Sequence, residues 1–201
     1  MQRRGHRRED SLQTSARKFD PARAHLLDSP ERERTLPAAT LVAWLELSGS
    51  ETVLDYGAGT GRFTLEVAGK LPNGRVIAID ESPEMMKLLQ ARTAGQRNVE
   101  TIPTADNEVP LPDESVDRIL AVNLLHEVRG ESALAEMRRL LAERGLLIVV
   151  DWDRDRPSDS GPPTAHRYSA AEARQELTFA GFDAELLSTT LPHHFALRAH
   201  R

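Results

Sequence analysis

The stretch Val53-Leu54-Asp55-Tyr56-Gly57-Ala58-Gly59-Thr60-Gly61-Arg62 constrains this chain more than any other. A β-rich run enters a G-x-G-x-G turn and leaves as a helix, which gathers backbone N–H groups and glycines at the carboxyl edge of a sheet. Open α/β sheets bind ligands at that edge, so a nucleotide-like ligand is expected. The dinucleotide fingerprint G-x-G-x-x-G uses a third glycine to bring helix and strand together under a pyrophosphate. Arg62 stands in that place. Asp55, directly before the loop, suits a ligand with a positive amine better than one with two phosphates. Asp80 ends the next strand at about the ~20-residue distance where a carboxylate takes a ribose hydroxyl pair. Adenosine without phosphates satisfies all three observations.

The alternation continues along the chain. Residues 52–55 read as a short strand, 62–71 as a helix and 75–80 (RVIAID) as a second strand. Ser82 followed by Pro83 is an N-cap with proline at the first helical position, opening a helix to about Ala94. Residues 98–103 form a weak strand and 116–122 a strong one. Residues 131–142 place Leu134, Met137, Leu140 and Leu141 on one helical face, and Gly145 releases the chain into the strand 146–151. Runs as continuously apolar as LLIVV are buried on both faces, as in a parallel sheet. Strands alternating with helices make βαβ units and a doubly wound α/β domain.

At the ends of this core the pattern changes. Residues 1–18 carry Arg3, Arg4, Arg7, Arg8, Arg17 and Lys18 and read as a basic, disordered arm, leaving 19–201 as one domain. Within it, 19–50 is a helical cap: prolines break 19–36 into short pieces, and 37–47 shows a helical stripe of Leu41, Trp44, Leu45 and Leu47. Residues 152–168, rich in Pro, Gly and Asp, read either as a lid loop or as a locally disordered connection. Ser169 and Glu172 form a capping box for a helix ending at Gly181. Residues 182–189 and 194–199 then read as an antiparallel hairpin closing the sheet.

Composition narrows the function. A net charge of −5 disfavours a nucleic-acid coat, and five Phe, two Trp and two Tyr are too few for base-stacking platforms. Without cysteine there is no disulfide, thiolate metal site or thiol nucleophile. No apolar run approaches the ~18 residues of a membrane span, and the basic N-terminus has no apolar stretch behind it, so a cytoplasmic protein is expected.

Taken together, these motifs closely resemble those of the class I S-adenosylmethionine-dependent methyltransferases. VLDYGAGTG looks like the family's first motif, VIAIDESPEMM like its second-strand acidic motif, VDRILAVNLLHEV like its fourth-strand motif and LAERGLLIVVDW like its fifth. They stand in family order and spacing. KFDPARAHLLDSPERERTLP and the late GPP…HRYSAAEARQELTFAGF look like the small members related to the ubiquinone and menaquinone methyltransferases. The resemblance implies a Rossmann-like, seven-stranded mixed sheet of order 3-2-1-4-5-7-6 with the last strand antiparallel. It also implies S-adenosylmethionine as methyl donor, S-adenosylhomocysteine as product and a small-molecule acceptor.

By the same resemblance Asp55, Gly57, Ala58, Gly59 and Gly61 hold the methionine portion. Asp80 takes the ribose hydroxyls, and Ala105 and Asp106 read adenine. Asn123 and Leu124 border the amino-acid end and the methyl. Glu81 departs from the family, which usually has an apolar residue there packing on adenine; Met85 is the candidate to supply that wall. His126, after the fourth strand, reads either as general base or substrate partner, or as a histidine with a structural bond.

Trp152, His166 and Tyr168 are candidates to shape the lid, or to pack at strand ends. No metal site is expected. His193 and His194 are adjacent in a strand and point to opposite faces. The run Asp151, Asp153, Asp155 fails as a calcium loop because Arg156 and Pro162 stand where Gly and Glu are required. Asn123-Leu124-Leu125-His126 is not the Asn/Asp-Pro-Pro-Tyr motif of amine methylases. Two readings from other classes stay open: a non-catalytic binder that keeps the fold, and an NAD(P)-dependent oxidoreductase sharing the strand–glycine–helix start. Oligomeric state is not legible.

Overall fold

Strands whose residues are apolar on both sides must lie inside a sheet covered on both faces. In the computed structural model, which describes residues 18–105, 108–128, 131–156 and 158–201, they do. The strands are β1 (Thr52–Tyr56), β2 (Arg75–Asp80), β3 (Val99–Pro103), β4 (Val116–Val122), β5 (Leu141–Trp152), β6 (Asp183–Leu186) and β7 (His194–His200). The helices are α1 (Pro30–Thr35), α2 (Ala38–Ala43), α3 (Arg62–Ala68), α4 (Pro83–Thr93), α5 (Glu131–Leu140) and α6 (Ala170–Phe179), with 3-10 segments at Pro21–Asp28 and Thr164–His166. The sheet runs β3-β2-β1-β4-β5-β7-β6, the expected order. Pairs from β3 to β5 are parallel, and β7 is antiparallel to both β5 and β6.

Val76, Ile77, Ala78 and Ile79 of β2 are at most 1% exposed, so both faces of the sheet are sealed. One face packs Leu54, Ile77, Ile119, Val149 and Phe195 against Met137 and Leu140 of α5 and Leu177 of α6. The other packs Val53, Val76, Leu120, Ile148 and Val150 against Val67 of α3 and Leu36, Leu41 and Leu45 of the N-terminal segment. Each such side chain contributes about 1.5–3 kcal/mol on burial. The prolines of the N-terminal segment start helices: Asp20 and Ser29 cap Pro21–Asp28 and α1 by accepting from Ala22 N and Arg32 N. The stripe expected over 37–47 forms a shorter helix, ending at Ala43.

The helix from Arg62 also stops short, at Ala68 rather than residue 71, and the strand expected over 182–189 is only Asp183–Leu186; the largest difference lies at β5. The helix expected to reach Ala142 stops at Leu140, and β5 begins at Leu141, which pairs with Val116. Two steps along β4, Arg118 pairs with Leu146, so residues 142–145 bulge out of register. Gly145 permits the bulge, since a Cβ there would lie 2.5 Å from Leu141 Cδ1 and 2.8 Å from the Ala142 carbonyl oxygen. An apolar pair such as Leu140-Leu141 fits either element, and pairing with β4 decides.

The carboxyl edge of the sheet collects the chain after Tyr56, Asp80, Val122 and Trp152. Because β7 is antiparallel, its first residue, His194, lies at this same edge opposite Trp152. Among the described residues no helix is long and apolar enough to cross a membrane.

At the opposite edge, Glu51 organises the entry to β1. Ser48 N–H and Oγ–H donate to its Oε1 at 2.8 and 2.5 Å, and Gly49 and Ser50 N–H to its Oε2 at 2.9 and 3.1 Å. Burial pushes this carboxyl up, but the Ser48 and neighbouring backbone donors outweigh it and hold it at about 2. A carboxyl depressed in the folded state stabilises above its unfolded value and loses that contribution as pH falls toward the folded one. Glu51→Gln is therefore expected to lower unfolding stability by about 1–3 kcal/mol at pH 7. In urea titrations against pH, the gap should close as pH falls from about 4.5 to about 2.

Candidate functional site

The turn between β1 and α3 is built from backbone. Gly57 and Ala58 N–H donate to the Ile79 carbonyl of β2 at 3.0 and 2.8 Å, and Gly61 N–H to the Ala58 carbonyl at 2.9 Å. Gly57 and Gly61 have φ of 76° and 82°, where side chains are strained. Space forbids them too, since a Cβ would come within 2.9 Å of Leu124 Cδ1 at Gly57 and 2.6 Å of Leu89 Cδ1 at Gly61. The result is a cradle of N–H groups and bare backbone at the start of α3.

Asp80 closes the cradle. Its Oδ2 accepts from Gly59 N–H at 2.8 Å and its Oδ1 from Ser82 N–H at 2.9 Å. A carboxylate has four lone-pair positions, so capacity remains for ligand hydroxyls. Asp55 sits beneath the turn, 2% exposed, with Oδ2 accepting from Thr64 Oγ of α3 at 2.6 Å. Burial, and then the charge of Asp80, push the Asp55 carboxyl up to about 6. Burial raises Asp80 as well.

Beyond β4 stands a buried pair. His126 Nδ1 lies 2.7 Å from Asp151 Oδ1, and His126 N–H donates to Asp151 Oδ2 at 2.9 Å. Trp152 N–H donates to Asp151 Oδ1 at 2.7 Å. Asp151 thus acts as acceptor, which assigns the proton to His126 Nδ1. Glu127 Oε1 is 3.7 Å from Nε2. Burial above all, and the charges of Asp151 and Asp80, push Glu127 up to about 7, against His126 and the Phe19 N–H that lower it. Asp55, Asp80 and Glu127 form an acidic set at one sheet edge, and such a set attracts a cation.

The neighbouring strands carry the opposite character. Arg32 on α1 has its Nε enclosed and unpartnered, and burial, then the Arg62 charge, pull its guanidinium down to about 10. His194 is 1% exposed with both ring nitrogens unpartnered. Burial depresses it to about 3; the Asp151 charge opposes this and the Arg32 charge adds to it. Each such orphan costs about 1–3 kcal/mol in an unliganded protein. The Trp152 ring lies 4.2 Å from His194 between centroids, and Arg167 stacks at 5.3 Å from Trp152. Arg167 donates to the carbonyls of Ser158, Ser160 and Pro162, which ties the 153–168 connection down over this ring.

Of the sequence-predicted residues, the structure brings Asp55, Gly57, Ala58, Gly59, Gly61 and Asp80 together, with Leu124 against Gly57. Asn123 follows β4 in a left-handed conformation, φ 54°, with both side-chain amide atoms buried and unpartnered. Met85 is buried on α4, whereas Glu81 is exposed and pairs with Lys18 at 2.7 Å. Ala105 forms a bridge to Glu108, and Asp106 lies outside the described residues. Residues 1–17 of the basic arm also lie outside them. Sequence reasoning did not single out Arg32 or Glu127, gave Asp151 only an unsupported metal role, and weighed His194 only as a metal ligand. Their one local signal is position, in or beside the turns at the carboxyl edge. Among the described residues no group of three ligating side chains could hold a metal.

Comparison with known proteins agrees with this geometry. Residues 53–145 match a methyltransferase domain family. The chain is 30% identical over 188 residues to trans-aconitate 2-methyltransferase of Methylobacterium nodulans, covering 84% of this chain and 71% of the relative. It is 34% identical over 113 residues to demethylmenaquinone methyltransferase of Tropheryma whipplei, covering 56% and 46%. The chain spans about half the length of several curated relatives it matches. Among solved structures, an S-adenosylmethionine-dependent methyltransferase of Aquifex aeolicus superposes with a TM-score of 0.84 at 29% identity, covering 90% of this chain and 98% of that one. The glycine cradle, Asp80 with acceptor capacity to spare, the orphaned Asn123 amide and the acidic set all fit S-adenosylmethionine, a nucleoside bearing a cationic sulfonium. With fold, motif order and relatives in agreement, the chain belongs to the class I S-adenosylmethionine-dependent methyltransferases.

Proposed function

We propose that this chain transfers a methyl group from S-adenosylmethionine to a small-molecule acceptor, with His126 as general base, and releases S-adenosylhomocysteine. The observation that carries the reading is the buried His126–Asp151 pair at the same sheet edge as the glycine cradle and Asp80. Two relatives named for trans-aconitate and demethylmenaquinone, both small molecules, support an acceptor of that size.

When bound, S-adenosylmethionine supplies a methyl on a sulfonium, already activated for in-line displacement. The chain therefore has to position, exclude water and accept a proton. Gly57, Ala58, Gly59 and Gly61 hold the methionine portion, with Asp55 facing its ammonium group directly or through water. Asp80 takes the ribose hydroxyls and Met85 packs on adenine, whose edge falls to Ala105 and Asp106. Glu81, turned to Lys18, leaves that wall to Met85. Asn123 and Leu124 border the amino-acid end and the methyl. Asp151 holds His126 as the Nδ1–H tautomer and stabilises the imidazolium once Nε2 takes the acceptor's proton.

Three outcomes follow. Calorimetric titration should give micromolar S-adenosylhomocysteine binding, weakened about a hundredfold in Asp80→Ala, and no binding of reduced nicotinamide dinucleotide. If neither ligand binds the unaltered protein, a non-catalytic scaffold becomes the better reading. In a tritiated-methyl transfer assay, His126→Asn should lower kcat about 10²–10⁴-fold with the cofactor Kd unchanged. Asp55 near 6 and Glu127 near 7 are partly protonated in the free protein, and a bound cation favours their ionised forms. Binding then releases protons, so S-adenosylmethionine affinity should rise several-fold as pH climbs through about 6–7, and more steeply than that of uncharged-sulfur S-adenosylhomocysteine.

A further inference from the structure

We propose that the methyl acceptor carries a carboxylate, and that Arg32 and His194 receive it beside the Trp152 ring. Naming this ligand as the acceptor rests on the methyl-transfer reading; the anion site itself rests on three observations of its own.

The first is an unpaired cation. Among the described residues the Arg32 guanidinium makes no hydrogen bond or ion pair, and its Nε is closed off from solvent. Enclosed charges in folded proteins are normally matched by a counter-charge. The carboxylate whose charge Arg32 feels is Asp28, and that group is already engaged by Arg92 through a two-pronged pair at 2.6 and 2.5 Å. Neighbouring Arg62 adds a second positive charge and is itself engaged with Glu33 and the Leu36 carbonyl.

The second is His194. It is 1% exposed, and neither ring nitrogen has a partner, so a donor and an acceptor are both held idle inside the protein. Leu36, whose N–H donates to the Arg32 carbonyl at 2.7 Å, packs in one core with Val150 and Ala196, two residues from Trp152 and His194, and the charges of Asp151 and then Arg32 act on the imidazole.

The third is position. Val122 pairs with Val150, and Trp152 with His194, so the ends of β4, β5 and β7 stand side by side at strand spacings of about 4.8 Å. The Asn123 amide that follows Val122 is also unpartnered. A cluster of idle polar groups, one of them a guanidinium, therefore continues the sheet edge beside the Asp151 carboxylate and away from Asp55, Asp80 and Glu127. A carboxylate matches the fork of Arg32 and accepts from His194 N–H, and the flat Trp152 ring offers a wall to its carbon skeleton.

The same chemistry has a second source, the methionine carboxylate of the cofactor, and the test separates the two. The full chain, Arg32→Met and His194→Phe are titrated with S-adenosylhomocysteine. Each, free and loaded with it, is then titrated with succinate, benzoate and propane-1,2,3-tricarboxylate and with the corresponding amides. The expected result is S-adenosylhomocysteine affinity within threefold in all three proteins. At least one carboxylate should bind the unaltered protein tenfold tighter than its amide, and both variants should lose that preference. The thermal midpoint of the ligand-free variants should rise by about 2–4 °C, because an idle polar group has been replaced by an apolar one; a purely structural role lowers it. A tenfold loss of S-adenosylhomocysteine affinity in Arg32→Met assigns the guanidinium to the cofactor and overturns the proposal, as does equal binding of carboxylates and amides by the unaltered protein. If the unaltered protein binds no S-adenosylhomocysteine, the methyl-transfer reading fails by itself, and the carboxylate–amide comparison on the free protein still decides the anion site.

Discussion

The backbone of the turn after β1 hangs on the end of β2. Gly57 and Ala58 donate to the Ile79 carbonyl, Gly59 donates to the Asp80 carboxylate, and that carboxylate also takes the Ser82 N–H at the start of α4. One strand end thus sets the cradle and the direction of two helices. The N-terminal segment is fastened to the same turn, because Asp28 reaches Thr60 and Arg92, and Arg62 reaches the Leu36 carbonyl. Each of these donors and acceptors is costly to leave unpaired, by about 1–3 kcal/mol. The turn is therefore rigid because several elements need it.

Around that turn the charge is divided. Carboxylates of β1, β2 and the segment after β4 crowd each other, and burial raises all three, Asp55 to about 6 and Glu127 to about 7. Across the edge, α1 and β7 contribute a guanidinium Nε and an imidazole without hydrogen-bond partners. A protein selected for stability alone pairs or removes such groups. Such groups fit the proposed site for two ligands, a cationic methyl donor on one side and a carboxylate acceptor on the other. The 153–168 connection belongs to this arrangement, since Arg167 gathers its carbonyls above Trp152.

Much of the fold was legible because its signals are local. RVIAID and VDRILAV read as strands with the bounds they have, and Ser82-Pro83 and Ser169…Glu172 cap helices as their chemistry demands. The start of β5 was not legible, since Leu141 satisfies a helical stripe until Val116 claims it by pairing. The cradle glycines and Asp80 were legible for the same local reason, a turn whose backbone admits few residues. Glu81 shows the limit: the sequence marks it as a departure from the family's apolar adenine wall, but only the structure shows it exposed and paired with Lys18.

By itself the sequence determined the order of strands and helices, the glycine turn, the acidic end of the second strand and hence the family, because periodicity, caps and turns act over a few residues. Only the tertiary structure decided that Asp151 of β5 would hold His126 25 residues upstream. It alone brought Arg32 into the neighbourhood of His194, from opposite ends of the chain. Hydrogen bonds and charges act through space, and their partners are chosen by which strand ends the sheet lays side by side. That choice carries no mark in the residues that make it.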